Sequence, residues 1–531
     1  MGYKEDKEAF VSGTHGGPLH RINAVSLVAV TSYALCTVAH HRFLVHLRPA
    51  DPRIPLVEFA LLVVPLLLAL TVCSPHPYAL NALLAAAALA AAYLPTTLAR
   101  PLPDPPLSPS LSRPPPSRQP PSPPPDAEQR PFSRPFVTSY RAVMMVMTVL
   151  CILAVDFRAF PREFAKAETW GTSLMDLGVG SFVFSLGLTA ALPLLRAPDA
   201  PPLAPRGYVT AVVRSVRKSA PLVALGLVRV AMVKGVEYPE HESEYGTHWN
   251  FFFTLALLPV LGELVARLAR AWGCNMHAAG LAVAFLHELA LRAGGLQRWA
   301  LTAPRVSLLS QNKEGLTSFP GYLAIYILGL ATGLYALPPS PSFLRAHTHM
   351  RTPRAEMDDK KRAKSLQPRP EKTAEWLAAA AIWWWALFAL VCLVLPTAGA
   401  ATGAGARAGV SRRLANLAYV LWTAAFNCTF LVLYLAVHLV ADARARAVAV
   451  RSVGPGARVG RRSSRPPALF EAVNKNGLAV FLLANLLTGL TNVSLRTLYA
   501  SDATAVGVLA AYSAAVCAAA WTLRGKRVKL G

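Results

Sequence analysis

Residues 141–188 read RAVMMVMTVLCILAVDFRAFPREFAKAETWGTSLMDLGVGSFVFSLGL. Ala142 to Val155 form an uncharged run that ends at Asp156. Pro161 then prevents a simple helical continuation, because its ring clashes with the preceding turn and it has no N–H to donate. Lys166, Glu168 and Trp170 follow, then Gly171-Thr172-Ser173, and a second apolar run opens with Asp176 inside its first turn. Two apolar runs with a short charged break between them predict two helices that cross a bilayer and meet at its boundary. Charges at such a boundary are costly unless paired or solvated, so those in this break are functional candidates by default.

The rest of the chain repeats the pattern. Charged residues make up 15% of the 531 residues and hydrophobic ones 54%, against roughly 25% charged in soluble domains. The apolar blocks predict an all-α, polytopic integral membrane protein with about thirteen spans in one bundle, each near the length that a hydrocarbon core about 30 Å thick requires. The spans centre on 22–45, 55–73, 78–95, 140–155, 174–194, 220–233, 248–266, 276–291, 320–337, 376–395, 414–440, 478–494 and 504–522. Those at 140–155, 220–233 and 276–291 are short. With an odd number of spans the termini lie on opposite faces. Placing the N terminus outside the cytosol and the C terminus inside leaves about 35 Lys and Arg on the cytosolic side and about 15 on the other, as the positive-inside rule demands.

The formal charge of +25 is therefore explained first by topology. No zinc-finger spacing, aromatic RNA-binding pattern or basic helix argues for nucleic acid. The seven cysteines include no CxxC pair, and six lie in or beside apolar spans, so they read as small buried residues rather than disulfides or metal ligands. The polar first twenty residues predict no cleavable signal peptide. Residues 101–135 contain fifteen prolines and predict an extended or disordered cytosolic loop, either a ligand for a proline-recognising partner or an insertion without a role. Residues 339–373 and 442–467 are basic cytosolic linkers, and residues 1–531 otherwise form a single membrane domain. No internal repeat is evident, whereas transporters often show matched halves.

Seven stretches together resemble the GPI inositol acyltransferase family. They are KEAFVSGTHGG at 7–17, PFVTSYRAVMMVMTVLCILAVDF at 135–157, ILAVDFRAFPREFAKAETWGTSLMDLG at 152–178, RSVRKSAPLVALGLVR at 214–229, EHESEYGTHWNFFFTLALLP at 240–259, QNKEGLTSFPGYLAIY at 311–326 and NKNGLAVFLLANLLTGLTN at 474–492. The Pro-rich loop and the Ala/Arg/Pro-rich linkers depart from the family without touching these stretches. The resemblance implies a multi-pass endoplasmic reticulum enzyme that acylates the inositol 2-hydroxyl of glucosaminyl-phosphatidylinositol. The donor would be palmitoyl-CoA or a similar acyl-CoA, acting as a cosubstrate. No tightly bound cofactor, metal or obligate protein partner is implied; the partners are the two substrates and the lipid bilayer.

That reaction needs a base to take the hydroxyl proton and a group to stabilise the oxyanion, while the thiol leaving group, with a pKa near 8.5, needs little help. Asp156 is the expected base. Lys166 is the expected cation beside it, able to orient the carboxylate, hold the inositol phosphate or stabilise the oxyanion. The two can equally do no more than end and solvate two helices. Trp170 and Asp176 join them as substrate-binding candidates, although Asp176 also stands at capping-box spacing from Ser173. His248 and Asn250, with His241 nearby, can read sugar hydroxyls or cap a helix beside the interfacial Trp249. Asn312 and Lys313 can bind phosphate or lie in a solvated loop. Lys475, Arg214 and Lys218, with Arg217, can attract the phosphates of acyl-CoA or merely supply positive-inside charge. His287-Glu288 reads as a buried pair more than as a base. Asp156 and Lys166 map to the lumenal side although the donor is cytosolic, so the thioester reaches through the bundle, the loop dips into it, or the number of spans before residue 140 differs from three. A lipid or solute transporter and a non-catalytic scaffold are the alternatives, and neither would need Asp156.

Overall fold

The structure is a computed structural model that describes residues 2–44, 47, 51–93, 134–168, 170–196, 205–235, 242–338, 369–395, 409–453 and 465–528. Most of the Pro-rich loop, most of the 339–373 linker and His241 lie outside the described residues. The helices are α1 (Tyr3–Val11), α2 (Leu19–Arg42), α3 (Arg53–Leu70), α4 (Pro77–Tyr93), α5 (Pro135–Ala154), α6 (Leu174–Arg196), α7 (Pro205–Gly235), α8 (Phe251–Ala271), α9 (Met276–Arg292), α10 (Leu296–Thr302), α11 (Lys313–Ala336), α12 (Pro370–Val394), α13 (Leu417–Val453), α14 (Ala468–Lys475), α15 (Gly477–Ser494) and α16 (Asp502–Thr522). The protein is all-α and multi-pass.

Each of the thirteen expected spans falls on a helix. Ten described helices are long and apolar enough to cross a membrane, or eleven if α9 and α10, bent by 64° where they meet, form one span. The bend falls at Gly294-Gly295, where Gly295 has φ +69. The remaining two are α4, which is 17 residues long, and α7, which carries Arg206, Arg214, Arg217, Lys218, Arg229 and Lys234. The expected 220–233 span is thus the apolar half of a longer, partly basic helix. The linker expected from 442 is helical to Val453.

α11 is the centre of the bundle, with 78% of its apolar window buried, against 22% for α12 and 11% for α15. α12 and α15 present Trp383, Leu393, Leu486 and Val493 outward, as helices against lipid do. α6 and α11 pack at backbone distance. A Cβ on Gly187 would sit 2.0 Å from the Tyr326 carbonyl oxygen, and one on Gly333 2.3 Å from that of Leu188. Small residues permit such close approach in membrane helices. The contact sets the first turn of α6, with Asp176, beside Tyr322 and the polar start of α11.

The connecting segments gather at two ends. At one end α1 meets the loop at 155–173 and the turn at 495–499, and that loop meets Glu244 and Arg413. At the other, Arg42 reaches the Ala91 carbonyl, Lys475 the Arg524 carbonyl, and Glu58 the amides that begin α14.

Candidate functional site

The first polar cluster forms where α5 ends. Phe157, Phe160 and Phe164 are fully buried and anchor the chain beyond the helix. Arg162 Nη2 donates to the carbonyls of Val155, at 2.7 Å, and Phe160, at 3.2 Å, groups that a helix C-terminus leaves unpaired. Its guanidinium lies 4.0 Å from the Phe10 ring centroid, and burial lowers its pKa to about 10 against the raising influence of Asp156. Asp156, 5% exposed, is thereby fixed at the mouth of the bundle. Its Oδ2 accepts from Asn492 Nδ2 at 2.8 Å, and its Oδ1 lies 3.4 Å from Lys7 Nζ. Lys7 also donates to Asn492 Oδ1 at 2.9 Å. Thr497 donates to that same amide oxygen at 3.2 Å and meets the Tyr3 hydroxyl at 3.3 Å. α1, α5 and α15 thus each supply one corner of a closed triangle.

The cation on Asp156 is Lys7, and Lys166 is engaged elsewhere. Lys166 Nζ donates to Glu244 Oε2 at 2.9 Å, with side chains 32% and 14% exposed. Burial opposes ionisation of Glu244, but Lys166 and Arg412 outweigh it and lower its pKa to about 2. Behind this pair lies Arg412, 1% exposed. Its Nε is 3.5 Å from Asp176 Oδ1, and its guanidinium lies 4.7 Å from the Tyr245 ring centroid. Burial works against the charge of Arg412, yet Tyr245, Tyr322, Asp176 and Glu244 together hold its pKa well above the usual value. Asp176 Oδ2 accepts from the Ala167 amide at 2.9 Å and from Ser173 Oγ at 3.0 Å, so the capping-box spacing is realised and also pins the loop. Tyr419 donates to the Asp176 carbonyl at 2.7 Å.

This second cluster closes on itself: Arg412 Nε faces Asp176 Oδ1, and the hydroxyls of Tyr245 and Tyr322 interact with Arg412 and with each other.

The N-terminal segment ties the clusters together. Thr14 donates to the Lys166 carbonyl, and the Glu168 and Gly17 amides complete a backbone ladder with Thr14 and Thr172. Gly171 has φ +115, and a Cβ there would meet the His15 carbonyl oxygen at 2.5 Å. On its other side Gly171 bridges to Ser411, which delivers Arg412 into the interior.

The other candidates are distributed around these clusters. The Asn312 side chain accepts from the His248 and Trp249 amides, at 2.9 and 2.8 Å. Asn250 caps α8 and donates to the Gly226 carbonyl. Lys313 is buried on the Ala303 carbonyl, and its neighbour Glu314 pairs with Arg305 and Arg413. Trp170 is buried with its Nε1 unpartnered. His287 Nε2 pairs with the Leu414 carbonyl and Glu288 accepts from the Leu417 amide, so both pin the segment that carries Arg412. Lys475 is at the opposite end, on the Arg524 carbonyl at 2.7 Å; Arg214 and Lys218 are exposed on α7. The geometry adds Lys7, Asn492, Glu244, Tyr245, Tyr322 and Arg412. Five of the six lie within the quoted stretches, where a polar residue bordering an apolar run was the available signal. Arg412 lies outside them.

A family model described as GWT1 matches residues 3–523. The chain is 40% identical to the "GPI-anchored wall transfer protein 1" of Aspergillus fumigatus over 99% of both chains. It is 36% identical to the protein of the same name from Yarrowia lipolytica, over 99% of this chain and 98% of that one. With the Cryptococcus neoformans var. grubii protein it is 41% identical over 75% of this chain and 63% of the relative.

Proposed function

The chain belongs to the GWT1 family, and on that premise we propose that it is an inositol acyltransferase of GPI-anchor biosynthesis in the endoplasmic reticulum membrane. It transfers the acyl group of palmitoyl-CoA, or a similar thioester, to the inositol 2-hydroxyl of glucosaminyl-phosphatidylinositol. The observation that carries this reading is the buried Asp156 carboxylate, oriented by Asn492 and charge-paired with Lys7. An anchored carboxylate at the edge of the lipid phase is the base such a reaction requires. The inositol oxygen attacks the thioester carbonyl as its proton passes to Asp156. The tetrahedral intermediate then collapses, the C–S bond breaks, and the CoA thiolate leaves; the proton held by Asp156 balances it, reaching the thiolate directly or through water and restoring the carboxylate. Lys7 is the nearest positive charge for the oxyanion. In this reading Lys166, a third exposed on its bridge to Glu244, takes the inositol phosphate.

The N terminus and the Asp156 loop face the lumen in this reading, with the CoA head on the cytosolic side.

The test uses full-length protein in nanodiscs with palmitoyl-CoA and glucosaminyl-phosphatidylinositol, read by mass spectrometry. Wild type makes inositol-acylated product; Asp156→Asn folds and makes less than about 1% as much, since a positioned base contributes about 10²–10⁴-fold. No product from wild type, where an active relative makes it, sinks the enzyme reading and favours transport. Full activity in Asp156→Asn removes its role as base.

A further inference from the structure

We infer that α1 is a lid over Asp156, hinged at Ser12-Gly13, which swings off the carboxylate to let an acceptor hydroxyl reach it. The inference rests on the reading of Asp156 as the base and adds a step to it. Asp156 is 5% exposed, and both of its oxygens are occupied, one by Asn492 and one by Lys7. Its neighbours Leu153, Ala154 and Phe157 are fully buried, which closes the bundle side. α1 lies across the remaining side, with Tyr3 on Thr497 and Tyr499, Lys7 on Asp156, and Phe10 on Arg162. A base that takes a proton stands within hydrogen-bond reach of the hydroxyl it serves, so the cover has to open.

α1 is tied down differently from the chain that follows it. Its described side chains are all partly or fully exposed. The contacts above, with that of Asp6 on the Tyr499 hydroxyl, run from side chain to side chain. From Gly13 onward the main chain itself is bonded. The Gly13 amide donates to the Glu168 carboxylate at 2.9 Å, the Glu168 amide to the Thr14 carbonyl at 3.0 Å, and the Gly17 amide to the Thr172 carbonyl at 3.0 Å. Segments with few buried contacts open at low cost, and a helix of nine residues is marginal by itself. Gly13 supplies the joint. Its φ of +72 favours glycine, and a Cβ there would meet nothing within 4 Å. Opening withdraws Lys7 with the helix, and closing returns it, so the positive charge reaches the site only when the cover is shut.

The test tethers α1 at the end far from its hinge. Tyr3→Cys with Tyr499→Cys replaces two rings whose centroids are 5.4 Å apart. A bifunctional methanethiosulfonate then joins the two thiols through disulfides that a reductant cuts. In nanodiscs with palmitoyl-CoA and glucosaminyl-phosphatidylinositol, the tethered enzyme should lose at least about tenfold in acyl transfer, with Tm not lowered, and regain it on reduction. The same reagent on each single variant controls for the native thiols. Full transfer by the tethered enzyme overturns the lid. Hydrogen exchange reads the motion without the reaction. In untethered protein the amides of residues 5–11 should exchange at least about tenfold faster than those of Gly17 and Glu168, and tethering should remove the difference. Equal exchange in untethered protein overturns the lid as well. If wild type transfers no acyl group, the base reading fails by itself, and the exchange arm still decides the lid.

Discussion

The Asp156 cluster and the Arg412 cluster share a loop and an end of the bundle, yet they are built differently. Around Asp156 one carboxylate, one ammonium and one carboxamide close on each other, and Asn492 uses both its amide nitrogen and its oxygen. Around Arg412 more charge is buried, and the guanidinium is held between Asp176 and the Tyr245 ring. A closed triangle at the exposed end of a helix holds a carboxylate in a single orientation, which suits proton transfer. A buried cluster of opposite charges instead ties together the segments that carry it. The contrast can be broken at several points.

The largest effect is expected on stability, in the Arg412 cluster. Arg412→Met strands Asp176 without its cation, and removing one partner of a buried pair costs about 3–5 kcal/mol. Unfolding of detergent-purified protein should show it, and a change below about 1 kcal/mol would mean that the cluster is more hydrated than its burial indicates. The triangle should respond in activity instead. Lys7→Met is expected to lower kcat by about 10²-fold, the range for losing one oxyanion stabiliser, while Lys7→Arg recovers part of the loss. An unaltered kcat in Lys7→Met would reduce α1 to packing. Gly171→Ala strikes the clamp between the two and should cost about 1–3 kcal/mol through its positive φ, lowering activity and acceptor affinity together. A change in only one of them would uncouple the clusters.

The smallest expected effect concerns pH. Glu244 sits at about 2 in the folded protein against an ordinary 4.5. A depressed carboxyl stabilises fully above its ordinary value and loses that contribution as pH falls toward the depressed one. The Lys166–Glu244 bridge should therefore persist at pH 5 and titrate only near pH 2 in the folded protein, while the stability it contributes fades between about 4.5 and 2. The carboxylate band of wild type minus Glu244→Gln in difference infrared spectra would track it, and loss of the band near pH 6 would contradict the pairing.

Much of the fold was legible because bilayer thickness fixes helix length, and all thirteen ranges from 22–45 to 504–522 fall on helices. α7 was harder to read because basic residues interrupt its apolar face. The bend between α9 and α10 depends on the conformation of Gly295, which periodicity does not encode. For the site, Asp156 and Lys166 stand out in sequence as charges beside apolar runs, but their partners do not. Lys7 and Asn492 are 485 positions apart, and no local pattern links them. Glu244 reads as one acid among several in EHESEYGTHWN, and Arg412 reads as ordinary loop charge. The chemistry that the resemblance implies, not their spacing, suggested that Asp156 and Lys166 belong together; Pro161 and three buried phenylalanines turn the loop so that each finds a different partner.

The stitch from α1 to α15 also bears on the order of events during synthesis. Asp156 leaves the ribosome 336 residues before Asn492, an interval of about 20–70 s at roughly 5–20 residues per second. Throughout that time the N-terminal helix and the Asp156 loop have no third corner to close on. A half-made chain therefore carries the carboxylate without its orienting amide, and the triangle closes only as the penultimate helix is inserted.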